Sequence, residues 1–392
     1  MKLTDNCGAA VIARFLRARG VDRLFGLCGG HIMPIWMRAH SEGIRIIDVR
    51  DERAAVHMGQ AHSELTGGLG VALVTAGPGL TNAVTGIANA HVSRAPVLVL
   101  SGAPPNPQQG RGALQDFDNT ELVRSITRYS RTVREPTLIL QALDEAVARA
   151  FGDGSEPGPA FLDFPTDALR AEIPPALQLA EHYRPKPRRI ALPSDGEIAK
   201  AVDLLWNAKR PLVISGRGAA GAGPELVALL ERFDAAYLDT GESRGLVPDS
   251  HPSMVAAMRG VAMREADLVI TIGRRLDFQL AYGSPAVFEQ ARFVRISDVA
   301  SELHDNRRGE VELFGTTSET LRAMLVAAGN RPPATDRAWI DGLRTEHRNR
   351  SSKARASASS APNGVDGRMH PNRLLAAVQE RLGEDAVAIV DG

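Results

Sequence analysis

Two short stretches concentrate the residues of this chain whose types and spacing can do chemistry. Residues 44–49 read as a hydrophobic strand, and Arg50-Asp51-Glu52-Arg53-Ala54-Ala55 follows, delivering one carboxylate, Glu52, to the mouth of a helix. Residues 70–75 read as a second strand, running through Thr75 into Ala76-Gly77-Pro78-Gly79-Leu80-Thr81-Asn82, a turn that opens a helix carrying Thr81 and Asn82 in its first turn. Two strand-to-helix corners that present a carboxylate and free backbone N–H groups suit a small polar heterocycle. Each corner also has a plain structural reading. Asp51 and Glu52 complement a helix dipole wherever acids stand at a helix start. A Gly-Pro-Gly turn serves any such corner, with Pro78 fixing φ for the first helical residue, and Asn82 then is a satisfied first-turn side chain.

A third corner follows residues 23–26. The glycines of Gly26-Leu27-Cys28-Gly29-Gly30-His31 permit a tight turn, and His31 is expected to begin the next helix. A neutral imidazole at a helix N-terminus can exchange protons, and it can equally cap a helix at the surface. Cys28 reads as a small buried residue, although a helix N-terminus can also activate a thiol. Gln115, in Gly110-Arg111-Gly112-Ala113-Leu114-Gln115-Asp116, falls in the loop after a strand at 97–101, where a glutamine is solvated by default. Further on, Gly216-Arg217-Gly218-Ala219-Ala220-Gly221 follows a strand and can approach a phosphate, a weak signal on its own. No His/Cys/carboxylate cluster has metal-ligand spacing, and His57 and His62, five apart on one helix, do not share a face.

The elements that must position these residues alternate. Helical periodicity covers 7–19, with Val11, Phe15 and Leu16 on one face, and short apolar strands are expected at 23–26, 44–49, 70–75, 97–101 and 160–164. Helical patterns fill gaps between them, at 31–39, 52–66 and 82–92. Strands apolar on both faces and separated by helices imply an α/β fold with a parallel sheet covered on both sides. Residues 174–193, rich in proline and charge, read as a connector. A second α/β unit follows over 194–330, with strands at 211–215, 235–238, 268–272 and 293–296 and helices at 195–206 and 224–233. Residues 331–370 read as a linker whose low-complexity part, 351–367, is expected to be mobile. A helix at 371–382 and a strand at 386–390 complete the pattern.

Composition sets bounds. The 392 residues are 44% hydrophobic and 23% charged, and Lys plus Arg equals Asp plus Glu at 46 each. Such a balance offers no electrostatic case for nucleic acid or an anionic membrane. Only Cys7 and Cys28 are present, no signal peptide is evident at Met1-Lys2-Leu3-Thr4-Asp5, and no apolar run reaches membrane-spanning length. A cytoplasmic protein is the expectation.

The first two corners, with the string 70–89 matching over its whole length, resemble the pyrimidine-binding domain of thiamine-diphosphate enzymes of the acetolactate synthase and benzaldehyde lyase group. That resemblance covers residues 4 to about 330 and the start of a third domain. It implies two Rossmann-like domains, a pyrimidine-binding domain at 1–173 and a central domain at 194–330, with 371–392 opening a diphosphate-binding domain. It implies thiamine diphosphate as cofactor, with Mg²⁺ held in that further domain, because no Gly-Asp-Gly with a downstream Asn pair occurs here. Glu52 matches the glutamate that hydrogen-bonds the pyrimidine ring nitrogen so that the 4′ nitrogen can take the C2 proton. Gly29, Gly30, Thr75, Pro78 and Asn82 fall at the cofactor-binding corners. His31 matches a histidine that handles substrate protons in benzaldehyde-lyase-like relatives, where a second histidine is Cys28 here. Gln115 matches a glutamine that reaches a neighbouring subunit's site, while Leu114 stands where acetolactate synthases place an aromatic residue, which favours the broader lyase or carboligase group.

The implied activity makes or breaks C–C bonds beside a carbonyl in 2-oxo acids, acyloins or aldehydes, in a homodimer or tetramer. Alternatives are a 2-hydroxyacyl-CoA lyase or oxalyl-CoA decarboxylase-like enzyme holding CoA near Arg274-Arg275, against which His31 argues, or an incomplete subunit that needs a separate diphosphate-binding chain. On either view residues 1–392 alone are expected to bind the cofactor weakly or not at all and to be inactive. Ile272-Gly273-Arg274-Arg275-Leu276-Asp277 is similar to where some relatives bind FAD and others ADP or CoA; the full FAD pattern is not recognisable, and a structural role is the favoured reading of the stretch.

Overall fold

The computed structural model describes residues 3–153, 155–178, 180–184, 189–383 and 385–389. The chain divides into two compact units, 1–188 and 189–392, and each is a parallel α/β layer structure.

The first unit runs α1 (Gly8–Ala18), β1 (Arg23–Gly26), α2 (Met33–Ser41), β2 (Arg45–Asp48), α3 (Glu52–Thr66), β3 (Gly70–Val74), α4 (Pro78–Val92), β4 (Val97–Ala103), α5 (Asn119–Val123), β5 (Tyr129–Thr132), α6 (Ile139–Ala150), β6 (Ala160–Pro165) and α7 (Thr166–Arg170). Its strands lie in the order β2-β1-β3-β4-β6-β5, all parallel. β3 shows why the sequence makes this fold. All five of its residues are buried; Val71 and Leu73 enter the layer under α1, α2 and α6, while Ala72 and Val74 enter the layer under α3, α4 and α5. A strand with period 2 that is apolar at every position must be covered twice. Each fully buried Val or Leu contributes roughly 1.5–3 kcal/mol of transfer free energy. Between β1 and β3 the chain reverses its direction of travel across the sheet, since β1 leads outward to β2 and β3 leads the other way to β4. Ligand crevices in open α/β sheets form outside the carboxyl ends of the strands at such a point.

The second unit runs α8 (Asp195–Asn207), β7 (Pro211–Ser215), α9 (Gly223–Phe233), β8 (Ala236–Leu238), α10 (Arg259–Glu265), β9 (Leu268–Ile272), β10 (Arg292–Ser297), α11 (Ala300–Leu303), β11 (Val311–Phe314), α12 (Thr317–Ala328), α13 (Arg337–Ser359) and α14 (Pro371–Gln379). The strand order is β11-β10-β9-β7-β8, again parallel, with its reversal between β7 and β9. On β9, Leu268, Ile270 and Ile272 pack under α8, α9 and α12, and Val269 packs under α10 and α13.

Several expectations change. Residues 337–359, placed in a linker, form the 23-residue helix α13, whose Trp339, Ile340 and Leu343 are buried in the second unit's core. The helix runs through 351–359, because Ala, Lys and Arg are good helix formers whatever the complexity of the segment. Part of the 174–193 connector belongs to the first unit: the Tyr183 ring lies 5.9 Å from that of Phe15, and its carbonyl accepts from Arg19 at 2.9 Å. Residues 386–389, expected as strand, are exposed and unpaired with either sheet; Val390 to Gly392 lie outside the described residues. Strands β5 and β11 were not anticipated. Among the described residues no helix is long and apolar enough to cross a membrane.

Candidate active site

Glu52 is the first residue of α3, directly after the cap residue Asp51. The two acids of this corner have separate jobs. Asp51 accepts from the Arg53 backbone N–H at 2.9 Å and pairs with the Arg53 guanidinium at 2.7 Å, and these bonds pull its carboxyl down to about 2. The helix cap is thereby filled. Glu52 turns inward instead, is 5% exposed, and accepts at Oε2 from Asn82 Nδ2 at 3.0 Å. Asn82 is the fifth residue of α4, just past the first turn in which it was expected, so this bond joins the start of α3 after β2 to the start of α4 after β3. Further along the same two helices Asn89 donates to Gln60 at 2.8 Å, and Gly86 lets α4 approach Val56 of α3 closely.

Small residues clear a floor beneath Glu52. A Cβ on Gly79 would stand 2.7 Å from Thr75 Cγ2 and 3.2 Å from Glu52 Oε1, and a Cβ on Gly29 would stand 2.6 Å from Thr75 Oγ1. Thr75 therefore touches both the corner after β1 and the corner after β3. Its Oγ1 is buried with no hydrogen-bond partner. Pro78 occupies the first turn of α4 as its fixed φ allows, and is exposed, as is Gly30.

His31 lies in the turn ahead of α2 rather than beginning it, since the helix starts at Met33 after the cap residue Ile32. What orients it is the end of β4: a Cβ on Gly102 would fall 2.5 Å from His31 Cβ. Because Val74 pairs with Ser101, this places His31 alongside the Thr75 corner. His31 Nδ1 is buried and has no partner. Cys28 is exposed, not buried as expected; its thiol sits 3.8 Å from Met33 Sδ, and partial burial raises its pKa, which opposes thiolate formation.

Gln115 reaches the same place from the loop at 104–118. It has a left-handed backbone, φ 59°, and its Cβ would lie 3.2 Å from a Cβ on Gly77, itself at φ 62°. A glutamine held left-handed costs of order 1 kcal/mol and persists only where the surroundings fix it. The structure thus brings Glu52, Asn82, Thr75, Gly29 and Gly79 together, sets His31 on one flank, and puts Gln115 against the turn at Gly77. Sequence reasoning missed Gly102, Asn119 and Asp163, which support these residues from the far side. Their contacts join segments 17 to 44 positions apart, which no local pattern signals.

In the second unit the corners after β7 and β9 also meet. Gly218 packs on Gly273, and Gly216 lies under the Arg274 side chain, which pairs with both oxygens of Asp277 at 2.7 and 2.8 Å. Arg259 donates to the Gln279 carbonyl beside it. Among the described residues no group of three or more His, Cys, Asp or Glu stands ready to hold a metal ion.

The first of these parallel α/β units thus presents a buried glutamate and two unpartnered polar atoms at its sheet reversal, an arrangement suited to a small polar heterocycle. The chain belongs to the thiamine pyrophosphate enzyme family: residues 6–122 match its N-terminal TPP binding domain and residues 198–324 its central domain. It is 30% identical to 2-hydroxyacyl-CoA lyase 2 of Caenorhabditis elegans, over 98% of this chain and 65% of that protein. It is 32% identical to 2-hydroxyacyl-CoA lyase 1 of Mus musculus, over 98% and 66%. To the acetolactate synthase large subunit of Parasynechococcus marenigrum it is also 32% identical, over 98% and 63%. The chain thus spans about two thirds of the length of these curated relatives.

Proposed function

We propose that the protein is a thiamine-diphosphate-dependent lyase or carboligase acting beside a carbonyl in 2-oxo acids, acyloins or aldehydes. The observation that carries this reading is Glu52: buried, relieved of capping by Asp51, and held by Asn82 at the reversal of a parallel sheet. The residues present fit the cofactor's pyrimidine, because Thr75 Oγ1 and His31 Nδ1 lack partners and Gly29 and Gly79 leave a cradle that a Cβ would fill. When bound, thiamine diphosphate supplies the electron sink for breaking or making the C–C bond. Glu52 would hold a proton at the pyrimidine ring nitrogen, and Asn82 would fix the carboxyl's orientation. His31 would exchange substrate protons, and Gln115 would donate to substrate oxygens. Mg²⁺ would accompany the diphosphate, and the expected setting is a cytoplasmic homodimer or tetramer.

A narrower reading is favoured by the second unit's corner, where Arg274 stands over Gly216 and Gly218 packs on Gly273 at a sheet reversal, with Arg259 bonded to the Gln279 carbonyl, a place suited to a nucleotide diphosphate. It makes the substrate a 2-hydroxyacyl-CoA, and two of the relatives quoted above carry that name.

NMR of thiamine diphosphate C2–H exchange in the protein as its host makes it tests the broad reading. Glu52→Gln is expected to slow exchange by about 10²–10⁴-fold, the scale of one positioned acid–base group. Exchange at the wild-type rate would remove Glu52 from the chemistry. The narrower reading requires that Arg274→Ala weaken CoA binding by calorimetry and leave that exchange rate unchanged.

A further inference from the structure

A buried polar couple lies beneath the loop that carries Gln115. Asp163 stands on β6, paired with Ser101 of β4 on one side and Thr132 of β5 on the other. Alternate residues of a strand share a face, and Phe161 lies in the layer under α3, α4 and α5, so Asp163 faces the start of α5. There Asn119, the first residue of α5 and 1% exposed, donates from Nδ2 to Asp163 Oδ2 at 3.0 Å and to the Gly102 carbonyl at 3.3 Å. Asp163 is 2% exposed.

Each partner keeps one buried oxygen without a hydrogen bond, Asn119 Oδ1 and Asp163 Oδ1. A carboxylate has no hydrogen to offer an amide oxygen, whereas a carboxylic acid has one. Burial pushes the Asp163 carboxyl up to about 6, against the opposing hydrogen bonds of Thr132 and Asn119.

The couple sits where the two flanks of the candidate site meet. Gln115 lies four positions before Asn119. The other end of the loop is held by Asp167, which accepts from the Asn106 backbone N–H at 3.1 Å, and its middle by Asp116, which accepts from the Gly110 N–H at 2.6 Å. Gly102, the second acceptor for Asn119, is the residue against which His31 packs. One amide is therefore bonded to the strand end behind His31 and anchors the loop end beside Gln115.

We propose that Asn119 and Asp163 are positioning residues for this site, their buried hydrogen bond fixing the Gln115 loop to the sheet and holding Gly102 behind His31. The functional part rests on the roles proposed above for His31 and Gln115; the positioning itself is a property of the protein and is read without turnover.

The test is hydrogen exchange by mass spectrometry on the whole protein. Asn119→Ala is expected to speed exchange over residues 110–118 about tenfold, the scale of one lost buried hydrogen bond, while β3 stays as protected as in wild type. Asp163→Asn keeps an acceptor and gains a donor for Asn119 Oδ1, so its loop should exchange at the wild-type rate. Trypsin cleavage at Arg111 should follow the same order. If Asn119→Ala does not fold, Asn119→Ser serves in its place. Wild-type exchange over 110–118 in the Asn119 variant, or an Asp163→Asn loop as open as that of Asn119→Ala, overturns the proposal. In the turnover arm, Asn119→Ala should lower kcat without changing cofactor KM, and Gln115→Ala added to it should lower kcat little further. A faster-exchanging loop with unchanged kcat would support the positioning and overturn the role given to Gln115.

Discussion

At the scale of residues, the informative contrast is between Asp51 and Glu52. Adjacent acids at a helix start are interchangeable on paper, yet one is half-buried and caps the helix while the other is buried and meets Asn82. Burial makes the second bond consequential, because a buried acceptor left without its donor costs about 1–3 kcal/mol. Asn82→Leu should therefore lower stability by about that amount in urea unfolding, whereas Thr81→Ala, equally exposed but bonded only to the Pro78 carbonyl of its own turn, should stay within about 0.5 kcal/mol. Equal effects would mean that Glu52 draws nothing from Asn82. Glu52, Thr75 and Asn82 were legible in the sequence because each lies within a few positions of a strand end marked by apolar residues and glycine. Asn119 and Asp163 were not, since an asparagine in a polar loop and an aspartate inside an apolar strand find each other only after the sheet forms.

At the scale of elements, the central strands were readable, and of the four edge strands β2 and β8 were readable but β5 and β11 were not. β3 and β9 are buried throughout and announce themselves by unbroken apolar runs. β5 (Tyr-Ser-Arg-Thr) is half-buried at one edge of its sheet, and β11 is a short edge strand that alternates buried and more exposed positions, so neither has the apolar run that marks a covered strand. β6 carries a buried ionisable group, Asp163, whose titration should be measurable. Burial pushes the Asp163 carboxyl from the ordinary aspartate range up to about 6, against the hydrogen bonds of Thr132 and Asn119 and the charge of Arg134, with Asp118 adding to the rise. A raised carboxyl pKa means that the folded state binds the proton more tightly, so this contribution is complete below about pH 4 and lost as pH rises through 6. The shift corresponds to about 3 kcal/mol. Wild-type stability relative to Asp163→Asn should accordingly decline between about pH 4 and 6, and parallel denaturation curves across that window would refute the assignment.

For the molecule as a whole, the two units keep separate cores: every residue of the layers around the first sheet precedes residue 188, and every residue of those around the second follows it. A unit with both sheet faces covered has what a domain needs to fold alone. Polypeptides 1–184 and 189–392, expressed separately, should each unfold cooperatively in urea with near-native circular dichroism. A molten or insoluble fragment would show that one unit depends on the other. Sequence patterning read a connector at 174–193, within which the two units divide, but it assigned α13 to a linker because three buried residues among twenty exposed or half-exposed ones make a weak stripe.

That helix has a thermal consequence. At 1.5 Å per residue α13 is about 35 Å long, and its last tertiary bond is from the Ala257 backbone N–H to His347 Nδ1 at 3.1 Å. Beyond it, residues 348–359 are almost all exposed and their neighbour α14 buries no side chain of its own. Helix–coil statistics then govern this stretch while global cooperativity governs the rest. On warming, ellipticity at 222 nm should drift downward well before the main transition, a premelting slope steepened by salt as the Glu346–Arg350 pair is screened.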